Sequence, residues 1–271
     1  MKRASVVSFT LLAMIAFAAN SLLCRFALKQ TSIDAASFTA VRIAAGAATL
    51  WCIALTRRVS LGKAGTWPSA LALFVYAAAF SFAYRTLSAG TGALLLFAAV
   101  QATMILWGRY RGERLHAMQF VGLGVAFCGL VVLVFPGISA PPLIGSLLML
   151  SAGVAWGVYS LRGKRGGDPT LMTTGNFIRA VPFALVLAVA STSSLRLDIT
   201  GVIYALLSGA IASGLGYVIW YMVLPHLAAA NAATVQLTVP VIAAAGGILF
   251  LHEPLTMRFV FAALAVLGGI A

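Results

Sequence analysis

Ten apolar runs, separated by short polar breaks, constrain this chain more than any other feature. They fall at about 5–24, 36–56, 67–85, 91–107, 117–135, 143–161, 171–190, 200–221, 229–250 and 256–271. Most approach the ~20 residues a helix needs to cross a bilayer. Hydrocarbon offers no partner for a free backbone N–H or C=O, so such runs cross as helices. Only 8% of the 271 residues are charged, against about 25% in a soluble domain. The expected fold is an all-α integral membrane protein with ten transmembrane helices, embedded in the lipid bilayer.

The net charge of +13 raises nucleic acid as a partner. The basic residues instead sit in short clusters between apolar runs, which is how a membrane protein is oriented. Assigning the breaks alternately to two sides puts 11 of the 18 Lys and Arg residues on one side and 5 on the other, with Arg42 and Arg179 inside helices. The richer side is expected to be cytoplasmic and to hold both termini. Cys24, Cys52 and Cys128 form no C-x-x-C pair, and His116, His226 and His252 are scattered. No metal site, redox motif or cofactor is expected.

The sequence repeats itself. At a shift of 137, Arg25 meets Arg162, Arg42 meets Arg179 and Tyr84 meets Tyr221. Beyond "PHL" at 225–227 the shift becomes 140, where Glu113 meets Glu253 and Gly129 meets Gly269. The expected units, within one membrane domain, are residues 1–137 and 138–271 with five helices each. An odd number starts the second unit from the opposite face, so the two are inverted, an architecture that places a site near the midplane. The start "MKRASVVSFTLLAMIAFAANS" resembles a signal peptide. Its counterpart in the repeat is 143–161, so it is expected to belong to the fold.

Two inverted five-helix halves, each with a Glu at a helix junction ("RGERL" at 111–115, "LHEPLT" at 251–256), resemble the EamA-type drug/metabolite transporter superfamily. The stretch "NSLLCRFALKQTSIDAASFTAVR", residues 20–42, is similar more narrowly to the YddG group of aromatic amino-acid exporters. The resemblance implies multi-pass insertion in a bacterial inner membrane and export of amino acids, with toxic analogues or drugs as further cargo. A broad drug or metabolite exporter is the alternative. An intramembrane enzyme would need a buried Ser–His, paired Asp or metal set, and the five acidic residues all fall in loops or at helix ends.

Polar and aromatic residues inside apolar helices are the candidate substrate-binding residues. Asn20, Gln101, Asn176 and Gln236 can each donate and accept, which suits a zwitterion, or they can join helices to one another. Tyr76, Phe80 and Tyr84 fall at i, i+4, i+8; Trp156 and Tyr159 at i, i+3; Tyr217, Trp220 and Tyr221 at i, i+3, i+4. Such stripes build a ring-accepting pocket or pack towards lipid. Trp156 and Tyr217 are favoured for the pocket. Arg42 and Arg179 stand either at opposite mouths of one pathway or as cations that snorkel or bind loop carbonyls. Glu113 and Glu253 are read as helix junctions or gates, with each anion at the start of the helix that follows and Pro254 at its first position. Pro240, one turn from Gln236, marks a candidate kink. With no carboxylate in a helix centre, transport is expected to run down the substrate's own gradient.

Overall fold

The computed structural model describes residues 2–57, 64–112, 117–137, 139–163, 168–227 and 234–270, and these are helices and connecting loops with no strand among them. The crossing helices are α1 (Arg3–Gln30), α2 (Ala35–Thr56), α3 (Trp67–Tyr84), α4 (Ala89–Tyr110), α5 (Ala117–Val134), α6 (Leu143–Gly163), α7 (Pro169–Ala190), α8 (Ile199–His226), α9 (Thr234–Leu251) and α10 (Met257–Ile270). Nine are long and apolar enough to span a membrane, and α10 is a shorter apolar helix. The chain is a multi-pass membrane protein.

Three of the five acids begin helices. Asp34 accepts hydrogen bonds from the N–H groups of Ala36 and Ser37, Asp168 from those of Thr170 and Leu171, and Asp198 from that of Gly201. A carboxylate there satisfies orphan donors and meets the positive end of the dipole. Asp34 also accepts from the Arg196 N–H, joining the start of α2 to the loop before α8. Burial alone would raise the Asp34 pKa. The hydrogen bonds from Arg196, Ser37 and Ala36 outweigh it and hold the carboxyl below its usual range.

Packing follows the repeat. Helix α1, the first of its half, packs on α8 and α9, the third and fourth of the other. Helix α6 packs reciprocally on α3 and α4, while α2 pairs with α7, α4 with α9 and α5 with α10. Small residues permit the close crossings. A Cβ on Gly153 or Gly157 of α6 would strike Leu96 and Ala99, or Thr103, on α4. Gly209 of α8 lies against the Arg42 carbonyl on α2, and Gly46 of α2 against the Gly209 carbonyl and the Phe177 ring. Trp51, Leu55, Phe127, Val186 and Leu249 point outward, as a lipid-facing surface requires.

Two local expectations change, and a third feature follows the expected kink. Helix α1 runs six residues past the expected end at 24, because Arg25 does not stop it: its side chain is buried against Glu253 with Nε···Oε1 2.9 Å. Glu253 does not serve the helix after it, which starts only at Met257, leaving Pro254 in the connecting loop. Glu253 accepts instead from the N–H of Ala89, the first residue of α4. In α9, the helix breaks at Leu237, beside Gln236. Pro240 has no N–H for the carbonyl four residues earlier and its ring crowds that turn, which explains the break. Glu113 lies outside the described residues.

Candidate functional site

Successive helices cross in alternate directions, so α1, α3, α5, α7 and α9 end on one face, and α2, α4, α6, α8 and α10 on the other, where α1 starts. The two faces differ. On the α1-end face the halves are joined by Arg25. Its Nε donates to Glu253, and its Nη1 donates to the carbonyls of Tyr84 (2.8 Å) and Arg85 (3.2 Å). Tyr84 is fully buried, donates to the Ala89 carbonyl and abuts Gly92. Cys24, one residue from Arg25, is also fully buried. This end is closed. Arg162, the repeat counterpart of Arg25, donates through its Nε to the Ser69 hydroxyl at the start of α3.

A cavity of about 240 Å³ reaches the α1-start face, among Gly163 at the end of α6, Pro169 at the start of α7, Leu224 near the end of α8 and Gln236 on α9. Its inner wall carries Phe17, Gln101, Met104, Trp156, Ser160, Tyr217, Trp220 and Tyr221. Deeper in, a void of about 20 Å³ is bounded by Phe17, Asn20, Ser21, Tyr76, Phe80, Phe97, Trp156 and Tyr217. Phe17, Trp156 and Tyr217 belong to both walls and separate the two spaces. The rings form one array: Trp156 lies 4.8 Å from Tyr76, 5.1 Å from Tyr217 and 5.3 Å from Tyr159 between centroids, and Phe17 meets Tyr217 edge-on. A larger space of about 350 Å³ beside α4 and α5 has an entirely apolar lining, including Ala98, Leu106 and Phe127, so it offers no side-chain polar group to orient a ligand.

The structure therefore gathers Asn20, Tyr76, Phe80, Gln101, Trp156, Tyr217, Trp220 and Gln236 around one central pathway. Tyr84, Tyr159 and Asn176 are engaged elsewhere. Tyr84 packs in the closed end. Asn176 accepts from the Thr66 N–H where α3 begins, and Tyr159 lies behind Trp156, with the Asn176 amide at 3.5 Å. Arg179 binds the Ala64 loop carbonyl, one of the two courses open to it. Arg42 does neither of the things a lipid-shy cation does: it is 2% exposed, deep in α2, and reaches no loop carbonyl.

Six contributors were not legible as candidates. Phe17 and Ser21 share the α1 face of Asn20 at i, i+3, i+4, a spacing that could have shown them. Met104 and Ser160 line the wider cavity. Ser208 donates to Asn20 Oδ1 at 2.6 Å, and Ser213 accepts from Arg42 Nη2 at 3.4 Å. In an α-helix residues five apart stand about 140° apart. Residues Ser208–Leu215 of α8 are π-helical, which brings residues five apart nearly onto one face.

Both halves of the chain, residues 4–135 and 143–271, match the profile of the EamA-like transporter family. An uncharacterised protein of Pseudomonas aeruginosa is 58% identical over 97% of this chain and 92% of its own length. A probable amino-acid metabolite efflux pump of Escherichia coli is 29% identical over 66% of each chain. A threonine/homoserine exporter of Salmonella typhimurium is 28% identical over 70% of this chain and 64% of its own. A crystal structure with 17% sequence identity superposes with a TM-score of 0.68, covering 97% of this chain and 94% of that one, a likeness of fold.

Proposed function

The chain belongs to the EamA-like transporter family, and from that premise we propose that it exports amino acids, aromatic ones above all, by alternating access. The observation that carries this reading is the ring-lined wall of Phe17, Trp156 and Tyr217 between the open cavity and the deep void. Rings meet other rings edge-on or offset and favour a flat apolar cargo, while Gln101 and Gln236 supply amides for its polar end. The cavity's size favours amino acids over the alternative of drugs, because drug-sized ligands occupy pockets of roughly 300–1,000 Å³. Relatives described as probable amino-acid metabolite efflux pumps support a related class of cargo.

The cation asymmetry supports a cytoplasmic location for the α1-start face and both termini, in a bacterial inner membrane. The cavity then faces the compartment where cargo is made. The closed end is sealed by Arg25, Glu253 and Tyr84. Rocking of one half against the other about the close α2–α7 and α4–α9 contacts exchanges which end is open.

The test is uptake by the purified protein in liposomes across labelled amino acids and cationic drugs. Saturable uptake of phenylalanine and tryptophan, above that of threonine, is expected. Drug uptake with no amino-acid uptake would replace this reading with the broad exporter.

A further inference from the structure

Among the described residues Arg42 is a cation without an anion. It is 2% exposed, and its Nη1 has no hydrogen-bond partner. Nη2 donates to the Tyr76 hydroxyl at 3.0 Å and, at 3.4 Å, to Ser213, both neutral. The guanidinium carbon lies 4.9 Å from the centre of the Phe80 ring and 5.3 Å from that of Tyr76. Among the described residues the single ion pair is Arg25–Glu253. A guanidinium cannot shed its proton to relieve this burial, and a buried charge is ordinarily paired.

The surroundings are those of a receptor for an anion. Tyr76 accepts from Arg42 and from Asn20 Nδ2, which fills its two lone pairs and leaves its O–H as a donor. Asn20 is held by Ser208 through its oxygen, fixing the amide with its NH₂ towards Tyr76. Donors therefore converge behind the deep void: the free Nη1 and the Tyr76 O–H, with no carboxylate to absorb them. Arg42 does not itself line the void; Tyr76 and Phe80, the rings it faces, do. Turning the Phe80 ring aside opens the guanidinium to whatever occupies that space.

We propose that Arg42 is the receptor for the cargo's carboxylate, engaged when the cargo moves from the wide cavity into the deep void with its ring against Trp156 and Tyr217. This rests on the amino-acid reading above and names the group that reads the acid end. The vacant Nη1 allows the bidentate fork that an Arg–carboxylate pair favours. An uncompensated cation behind the void attracts a carboxylate and repels a cargo that carries only an amine.

The test compares three ligands with the same ring: phenylalanine, phenylalaninamide and 3-phenylpropionate, each measured by thermal stabilisation of the detergent-purified full chain. Phenylalanine and 3-phenylpropionate are expected to bind about 10- to 100-fold more tightly than the amide, the range of a charge-assisted hydrogen bond. In Arg42→Gln that preference falls towards unity, and Arg42→Lys keeps part of it. A folded Arg42→Gln protein that retains the full preference overturns the proposal. So does a parent protein that binds the amide as well as the acids, an arm that needs no mutant to fold. Arg42-dependent binding of 3-phenylpropionate together with no uptake of any amino acid upholds the anion receptor and rejects the amino-acid reading instead.

Discussion

Glu253→Gln is expected to expose Cys24 to a polar maleimide. In the parent Cys24 is fully buried, beneath the latch in which Arg25 joins Glu253 to the carbonyls of Tyr84 and Arg85. Removing one partner from a buried ion pair costs about 3–5 kcal/mol, because the other charge stays behind in a poor solvent. Here that penalty falls on the closed state of one end, since opening that end returns Arg25 to water. A shift of even half that size changes the ratio of open to closed forms by more than about tenfold. The measurement uses a Cys52→Ser, Cys128→Ser background, which removes the two exposed thiols. Labelling of Cys24 at least about tenfold faster in Glu253→Gln than in its background is the expected result. Unchanged protection of Cys24 in a protein of unaltered melting temperature would show that the pair is not a latch.

Trp156→Ala is expected to weaken transport of ring-bearing cargo by about 30-fold in apparent affinity. The indole belongs, with Phe17 and Tyr217, to both walls and is the centre of the ring array. Loss of a well-packed central tryptophan from a binding surface costs about 2 kcal/mol or more. Threonine, which has no ring to place there, is expected to lose little. The check is the ratio of phenylalanine to threonine uptake at matched protein levels. An unchanged ratio would remove Trp156 from the cargo's path.

What the sequence made legible follows from how strong each physical signal is. Backbone satisfaction in lipid forces long apolar helices, so the number and order of the crossings, and their division into two inverted halves, are written in hydropathy and in pairs such as Arg25–Arg162. Trp156 and Tyr217 stood out because large rings away from helix ends are scarce. The fate of each charge was less visible. Arg25 looked like a loop residue, because the carboxylate that lets it stay in α1 lies 228 positions away. Glu253 looked like the cap of the next helix, yet it reaches the start of α4, a long-range contact that local pattern does not encode. Ser208 and Ser213 were hidden by the assumption of α periodicity, and the π-helical stretch of α8 is what turns both inward. Asn20 and Asn176 are both buried helix amides, and only tertiary packing sends the first to the void and the second to the start of α3.

Alternating access through one central site is tested most directly by counterflow. Liposomes bearing the parent protein are loaded with unlabelled phenylalanine and diluted into a trace of labelled phenylalanine, with ionophores that abolish both pH and voltage differences. A carrier that reorients with cargo bound accumulates label transiently above its equilibrium level. Three of the five acids are occupied as helix caps, and Glu253 is paired with Arg25. The overshoot is therefore expected without any proton gradient. Label that only leaks to equilibrium, or that moves only when a pH gradient is imposed, would contradict a single-site carrier working down the gradient of its own cargo.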